Sequence, residues 1–279
     1  MSFEPNARRA GRIFITGGAS GLGRATALRF ARAGYRVAIG DVHDERGEET
    51  RKALGPDALY FRCDVTRDED LAHVASEIES RWGGVDVLMN NAGVAGAGAI
   101  EDIPLDAWRW ILEINLLGVV RGCRAFVPML KRQRKGHIVN VSSMAGLLDV
   151  PMMSSYNATK AAVVSLSETL QNELADAGIG VSVVCPSFFK TNLGESMRTT
   201  DPGLLAAMNK LMDRGKITAE DVADHIFRAV ETKEFYVLPH PEARSVWRLK
   251  RLLPRVAYTA VVKKQMQRMA RNATKGSAT

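Results

Sequence analysis

The feature that most constrains the fold is a glycine-rich segment between an apolar strand and a helix. Residues 12–16 form a short apolar run, and Gly17, Gly21 and Gly23 follow it at the start of a helical pattern over 21–33. Glycines at this spacing let the backbone turn sharply, and N–H groups at the helix start can meet the charge of a pyrophosphate. A strand, a glycine turn and a helix in this order predict the first βαβ unit of a parallel sheet.

The alternation of strands and helices continues through most of the chain. Apolar, β-branched runs predict further strands at 36–40, 58–63, 85–89, 137–141, 181–185 and 235–238. Helical patterns separate them at 44–54, 68–82, 106–131, 155–176 and 219–230, the last begun by a capping sequence at 218–221. This order predicts one α/β domain, a Rossmann-like, doubly wound parallel sheet with helices on both faces.

Composition divides the chain into two parts. Residues 1–239 hold the strand–helix domain, and 187–217 interrupt its rhythm with glycine and proline, which predicts a substrate loop with short helical pieces. Residues 240–279 carry ten Lys or Arg and one acidic residue, Glu242, so the +7 net charge of the chain belongs to this extension. Apolar side chains at helical spacing after Pro254 predict a basic, amphipathic, helical C-terminal extension.

Other function classes lose support from composition. Without the extension the domain is close to neutral, so no nucleic-acid partner is expected. Five histidines form no H-x-x-x-H or Cys/His cluster, and no metal is expected. Three separated cysteines are typical of a reducing compartment. No apolar run approaches the ~18 residues of a membrane span and no signal-peptide core is present, so we expect a cytoplasmic protein.

A tyrosine and a lysine, Tyr156 and Lys160, lie four residues apart on a predicted helix. Tyr156 follows Ser143 by thirteen residues. This spacing puts phenol and ammonium on one helix face. The ammonium favours the phenolate and would lower the pKa of the phenol from its usual ~10 toward neutrality, a change worth ~4 kcal/mol. Such a pair alone is usually a solvated surface pair. Here it accompanies the glycine turn and polar residues after other strands, which favours a proton-transfer site.

Together the glycine turn, Asn90-Asn91-Ala92-Gly93, Ser143 and Tyr156-x-x-x-Lys160 resemble the short-chain dehydrogenase/reductase family, over about residues 12–191. The resemblance implies an NAD(P)-dependent oxidoreductase that interconverts a secondary alcohol and a ketone. It implies a homo-oligomer, a dimer or tetramer. The implied catalytic residues are the proton donor and acceptor Tyr156, Ser143 on the substrate oxygen, Lys160 on the nicotinamide ribose, and Asn115 in a water relay to Lys160. Asn115 could instead bond only the neighbouring backbone.

The resemblance also implies a cofactor site. Asp41 ends the second strand, where a carboxylate accepts hydrogen bonds from ribose hydroxyls and repels a 2′-phosphate, so NAD is preferred. Arg36 and Arg46 leave NADP open. Asp64 either borders the adenine or caps the next helix, and Thr191 is expected on the nicotinamide carboxamide. The implied cofactor-binding residues are Gly17, Ser20, Gly21, Leu22, Gly23, Asp41, Asp64, Val65, Asn91, Ala92, Gly93, Tyr156, Lys160, Pro186 and Thr191.

One departure from the family pattern follows the sixth strand, where Ser187 replaces the usual glycine after Pro186. Apolar residues surround the inferred catalytic face, and these predict a small apolar alcohol or ketone as substrate. They are Val94, Met144, Leu147, Leu148, Met152, Met153, Phe188, Phe189, Met197, Leu204, Leu205 and Met208. Peripheral contact of the extension with an anionic membrane is one interpretation, beside a solvated helix, a lid or a subunit contact. A catalytically silent nucleotide sensor or membrane-surface adaptor is the alternative function.

Overall fold

The computed structural model describes residues 11–199, 201–213 and 215–260. The strands are β1 (Arg12–Thr16), β2 (Arg36–Asp41), β3 (Leu59–Arg62), β4 (Val87–Asn90), β5 (Gly96–Ala97), β6 (Gly136–Val141), β7 (Ile179–Val184), β8 (Arg198–Thr199) and β9 (Tyr236–Val237). The α-helices are α1 (Gly21–Arg32), α2 (Asp44–Leu54), α3 (Asp68–Trp82), α4 (Leu105–Leu112), α5 (Gly118–Gln133), α6 (Ala145–Leu148), α7 (Ser154–Leu174), α8 (Pro202–Asp213), α9 (Ala219–Thr232) and α10 (Pro241–Leu252).

Seven of these strands form one parallel sheet in the order β3-β2-β1-β4-β6-β7-β9. The strand order reverses between β1 and β4, which pair directly, so the chain winds away from this point in both directions. The predicted Rossmann-like, doubly wound sheet is confirmed. Its carboxyl-end crevice lies between the turns that follow β1 and β4.

Alternate side chains of β1 enter two separate cores, as the twofold period of a strand requires. Ile13 and Ile15 pack on one face with Phe30 of α1 and Ile226 of α9. Phe14 points to the other face, where its ring stacks on Phe126 of α5 at 5.1 Å between centroids. Both faces of the sheet are therefore covered by helices, and the strands read as continuous apolar runs.

Helix α9 begins as the sequence predicts. The Thr218 hydroxyl accepts from the Asp221 N–H, and the Asp221 carboxylate accepts from the Thr218 N–H. This reciprocal capping box satisfies two backbone donors that a helix start otherwise leaves unpaired.

Two predicted elements differ in the structure. The single helix expected over 106–131 is broken by a π-helical turn, Glu113–Leu117, between α4 and α5. The substrate loop contains more than short helical pieces, because α8 runs for 12 residues and β8 pairs with β5. Strand β5 and helix α6 were not predicted from the sequence, whereas α10 lies in the C-terminal extension that was predicted to be helical. Strands β5 and β8 form by long-range pairing with each other, and two-residue strands leave no periodic signal in the sequence.

Within its described residues the chain forms two compact units, divided between Pro239 and His240. The second unit contains α10 and a further helical segment over 255–260. The helix expected after Pro254 therefore starts in the described part. Three of its expected apolar positions, Val262, Met266 and Met269, lie outside the described residues. Among the described helices, none combines the length and the apolar character needed to cross a bilayer.

Candidate active site

A cavity of about 610 Å³ opens at the carboxyl ends of the strands. Nearly all of the residues predicted for the site line it: Gly17, Ser20, Gly21, Leu22, Asp41, Asp64, Val65, Asn91, Ala92, Gly93, Ser143, Tyr156, Lys160, Pro186 and Thr191. Gly23 and Asn115 are the two predicted residues that are not on its wall. Among the described residues, no group of three or more His, Cys, Asp or Glu side chains is arranged to hold a metal ion.

The glycine turn is fixed to β4 by the buried hydroxyl of Thr16. Its Oγ1 accepts hydrogen bonds from the N–H groups of Asn91 at 3.0 Å and Ala92 at 3.1 Å. The Asn91 amide returns the contact, because its Nδ2 donates to the carbonyls of Thr16 and Gly17. These four bonds hold together the turn after β1 and the turn after β4. They set the shape of the cavity between these two turns.

We call these four hydrogen bonds between Thr16, Gly17, Asn91 and Ala92 the clasp. Two positions beside it must be glycine, because neighbouring atoms lie too close for a side chain. Gly17 has φ +65°, and a Cβ on it would lie 2.9 Å from the Cα of Ala92. A Cβ on Gly23 would lie 2.1 Å from the Gly17 carbonyl oxygen, so Gly23 allows α1 to pack directly against the turn. Gly23 therefore acts through packing, although it is not on the cavity wall. A turn without Cβ atoms followed by the N-terminus of α1 has the chemistry to hold a pyrophosphate.

Asp41 lies on the wall beside this turn and is 8% exposed. Its carboxylate accepts hydrogen bonds from the N–H of Ala19 at 3.0 Å and of His43 at 3.1 Å. Of the two nearby arginines, Arg36 starts β2 and is therefore about 16 Å of strand away from Asp41. Arg46 of α2 lines the cavity.

Asp64 does not cap α3, because the residue at that N-cap position is Arg67. The Asp64 Oδ1 accepts from the N–H and the hydroxyl of Thr66 at 2.9 and 2.8 Å, which closes the turn before α3. Asp64 and Val65 also line the cavity. The residue thus shapes the turn that leads into α3 and borders the space where the resemblance places an adenine.

The other end of the cavity contains Ser143, Tyr156 and Lys160. Ser143 follows β6, and its Oγ accepts from the Ala145 N–H and lies 3.4 Å from the Pro186 carbonyl oxygen, to which it donates. Tyr156 and Lys160 share one face of α7 and are 7% and 4% exposed. The Lys160 Nζ donates to the Val141 carbonyl at 2.9 Å and lies 5.7 Å from the centre of the Tyr156 ring.

Burial shifts the pKa of each group in the direction that favours its uncharged form. Desolvation raises the pKa of Tyr156 to about 12, outweighing the opposite effect of its hydrogen bond with Ser143. Desolvation likewise lowers the pKa of Lys160 to about 8. The expectation that Lys160 lowers the pKa of the phenol is wrong for the protein alone. The cost of removing a phenolate from water raises this pKa, and the Lys160 ammonium donates its hydrogen bond to the Val141 carbonyl.

Asn115 lies within the π-helical turn and is fully buried. Its Oδ1 accepts from the Val94 N–H at 2.8 Å, and its Nδ2 donates to the Val94 carbonyl at 2.9 Å. A Cβ on Gly93 would lie 3.2 Å from Asn115 Oδ1 and 3.4 Å from Lys160 Nζ, so both polar groups adjoin the same glycine. Asn115 therefore fixes the segment after β4 from behind the cavity wall.

The segment after β7 closes the cavity near Ser143. Although Ser187 replaces the usual glycine, the Pro186 carbonyl still accepts from the Met144 N–H at 2.9 Å. The Thr191 hydroxyl accepts from the Leu193 N–H at 3.3 Å and caps a short helical turn, Asn192–Ser196. Thr191 also stands over the glycine turn, because a Cβ on Gly21 would lie 3.7 Å from its Cβ.

The wall near Tyr156 is mostly apolar, as predicted, but its membership differs. Leu147, Met152, Leu204 and Leu205 are not on it, whereas Ile114, Val150, Leu193 and Met212 are. Met212 follows Met208 by four residues on α8, and an i, i+4 apolar pair on a predicted helix is the signal that would have found it. Asn90, which the family resemblance places against the cofactor side, is buried, and its Nδ2 donates to Asn140 Oδ1 inside the core.

Comparison with known proteins agrees with this geometry. The family model described as short chain dehydrogenase matches residues 12–202. The chain belongs to the short-chain dehydrogenase family. The C alpha-dehydrogenase of Sphingobium sp. strain SYK-6 is 35% identical over 247 residues, which cover 83% of this chain and 81% of that protein. The probable oxidoreductase EphD of Mycobacterium tuberculosis is also 35% identical and covers 87% of this chain, which spans only 43% of EphD.

Solved structures show the same fold with bound nucleotides. A short-chain dehydrogenase/reductase from Burkholderia phymatum in complex with NAD is 33% identical, with a TM-score of 0.83 over 87% of this chain and 93% of that chain. An alcohol dehydrogenase from Thermococcus sibiricus complexed with 5-hydroxy-NADP is 26% identical, with a TM-score of 0.72 over 82% of this chain and 96% of that chain. Family members of this shape thus hold either cofactor type.

The clasp at Thr16 predicts a specific loss of stability. Thr16→Val keeps the shape of the side chain but leaves the N–H groups of Asn91 and Ala92 without their acceptor, so the free energy of unfolding should fall by about 2 kcal/mol or more. Thr16→Ser keeps the hydroxyl and should lose no more than about 1 kcal/mol for the missing methyl. Urea unfolding followed by circular dichroism measures both. Equal stability of the valine variant and the wild type would contradict the clasp.

Proposed function

We propose that this short-chain dehydrogenase interconverts a secondary alcohol and a ketone with a nicotinamide dinucleotide, acting on an apolar substrate. The observation that carries the proposal is the position of Tyr156 and Ser143 on the wall of the same cavity as the glycine turn. A silent nucleotide-sensing protein would need the turn and Asp41, but it would have no use for a buried tyrosine, serine and lysine at the far end.

Each side chain is proposed to have one task. The Ser143 hydroxyl donates a hydrogen bond to the substrate oxygen, and Tyr156 exchanges the proton with that oxygen. A phenol whose pKa is raised to about 12 is protonated at neutral pH, so it can give its proton to a ketone. In the reverse direction the base is the phenolate, which takes the proton of the alcohol and becomes the phenol again. Lys160 binds the nicotinamide ribose next to Gly93, and Asn115 positions that segment through Val94. When bound, the cofactor supplies or accepts the hydride.

NAD is the proposed cofactor. The Asp41 carboxylate is held at the wall by two backbone N–H groups, an orientation that presents negative charge where a 2′-phosphate would lie. The remaining cofactor contacts are proposed for the turn residues Gly17, Ser20, Gly21 and Leu22, for Asp64, Val65, Asn91, Ala92 and Gly93, and for Pro186 and Thr191.

The substrate is proposed to be a small apolar alcohol or ketone. Met144, Met153, Met208 and Met212 line the cavity together with Phe188, and flexible thioethers adapt to apolar groups of differing shape. A homo-oligomer, dimer or tetramer, is part of the same proposal. This part of the proposal rests on the family to which the chain belongs.

Replacing Tyr156 with phenylalanine tests the proton-transfer role. The ring and its packing remain, and only the hydroxyl is lost, so turnover of secondary alcohols should fall by about 100-fold or more while NAD affinity stays within about twofold. Steady-state rates and calorimetric titration measure the two quantities. Tyr35→Phe, which removes a hydroxyl bonded to Glu231 outside the cavity, is the matched control and should keep its rate. A Tyr156→Phe enzyme with more than a few per cent of the rate would disprove the assignment.

A second proposed property concerns the C-terminal extension. Leu252 and Val256 are 81% and 84% exposed among the basic residues Arg248, Arg251 and Arg255. Exposed apolar groups flanked by cations fit the surface of an anionic membrane.

Vesicle flotation tests this second proposal. The full chain should float with phosphatidylserine-containing vesicles at low salt, float less at high salt because salt screens the attraction, and stay unbound with pure phosphatidylcholine. Leu252→Ser should weaken the interaction without changing NAD affinity. Equal flotation with both vesicle types would remove the membrane proposal and leave the enzymatic one intact.

A further inference from the structure

An ion pair joins two parts of the cavity wall that are 149 residues apart in sequence. Arg46 projects from α2, and Glu195 belongs to the short helical turn of the substrate loop; the Nη1 and Oε2 atoms lie 2.9 Å apart. Both residues line the cavity, and their side chains are 45% and 54% exposed. The substrate loop is therefore linked electrostatically to the segment that follows Asp41.

Arg46 is the permanent cation at the Asp41 end of the cavity. In the described part of the chain, the Lys and Arg side chains on the cavity wall are Arg46 and Lys160. Lys160 bonds to the end of β6, which is three strand positions from β2 and therefore about 14 Å away. A phosphate on the 2′-oxygen of a ribose held by Asp41 would have Arg46 as its available partner.

Glu195 is held in place to occupy this arginine. Its other carboxylate oxygen accepts a hydrogen bond from the Asn192 amide, within the same turn. The hydrogen bonds from Asn192 and from Arg46 both lower the pKa of Glu195, so the carboxylate is charged at neutral pH. A phosphate that approaches Arg46 meets the Glu195 carboxylate already paired with that arginine, and a second carboxylate at Asp41.

We infer that Glu195 is a specificity-determining residue, which favours NAD over NADP by keeping Arg46 paired and unavailable to a 2′-phosphate. The inference rests on the proposed binding of a nicotinamide dinucleotide in this cavity. It adds to the role of Asp41 a contribution from the substrate loop, so cofactor choice depends on two segments that are distant in sequence. Removing the charge of Glu195 frees Arg46 and removes one repulsive anion.

Calorimetric titration of NAD and NADP against the full chain tests this role directly. An exposed ion pair changes an equilibrium by up to about fivefold. Glu195→Gln keeps the size of the side chain and its acceptor for Asn192, and should tighten NADP binding roughly fivefold while NAD stays within about twofold. Arg46→Gln/Glu195→Gln should show none of this gain, because the cation that receives the phosphate is gone.

Glu79→Gln is the matched control for the change in net charge. Glu79 forms an exposed ion pair with Arg132 of comparable exposure, outside the cavity, and its replacement should leave both affinities unchanged. An unchanged NADP-to-NAD ratio in Glu195→Gln would overturn the inference, as would a gain that persists in the double variant or appears equally in Glu79→Gln. A wild-type chain that binds neither nucleotide would instead overturn the proposed function, and the inference with it.

Discussion

The site depends on a single constraint, that all seven strands of the main sheet run in the same direction. Parallel strands bring their carboxyl ends to one edge, so residues distant in sequence but following a strand meet there. Thr16, Asp41, Asn91 and Ser143 each end or follow a strand in this way. The clasp between Thr16 and Asn91 then fixes the two turns at the point where strand order reverses, and the cavity forms between them.

Burial determines the chemical state of the groups at the far end of the cavity. Tyr156 and Lys160 are largely removed from solvent, and their pKa values move to about 12 and about 8. At neutral pH the phenol therefore holds its proton, and the lysine still carries a charge that the Val141 carbonyl stabilises. The resting site combines a proton donor with a cation at Gly93, where the resemblance places the nicotinamide ribose.

Local sequence patterns were sufficient for the sheet, because strand periodicity and strand ends are encoded within a few residues. Most cavity residues came from the family resemblance of the motifs that follow those strands. The π-helical turn at Glu113–Leu117 was not predictable, since it accompanies a contact of Asn115 with Val94, 21 residues away. The direction of the Tyr156 shift was also missed, because helical spacing gives the distance between two side chains but not their burial. The pairing of Arg46 with Glu195 likewise exists only after the substrate loop has folded.

The central claim is that this cavity carries hydride transfer between a nicotinamide dinucleotide and an apolar secondary alcohol. The most direct measurement is the absorbance of reduced cofactor at 340 nm when the protein and NAD are mixed with matched secondary alcohols, primary alcohols and polyols. The account predicts that NADH appears with apolar secondary alcohols, and that deuterium at the carbinol carbon slows the reaction. Binding of NAD without reduction by any of the alcohols, and without oxidation of NADH by the corresponding ketones, would contradict it.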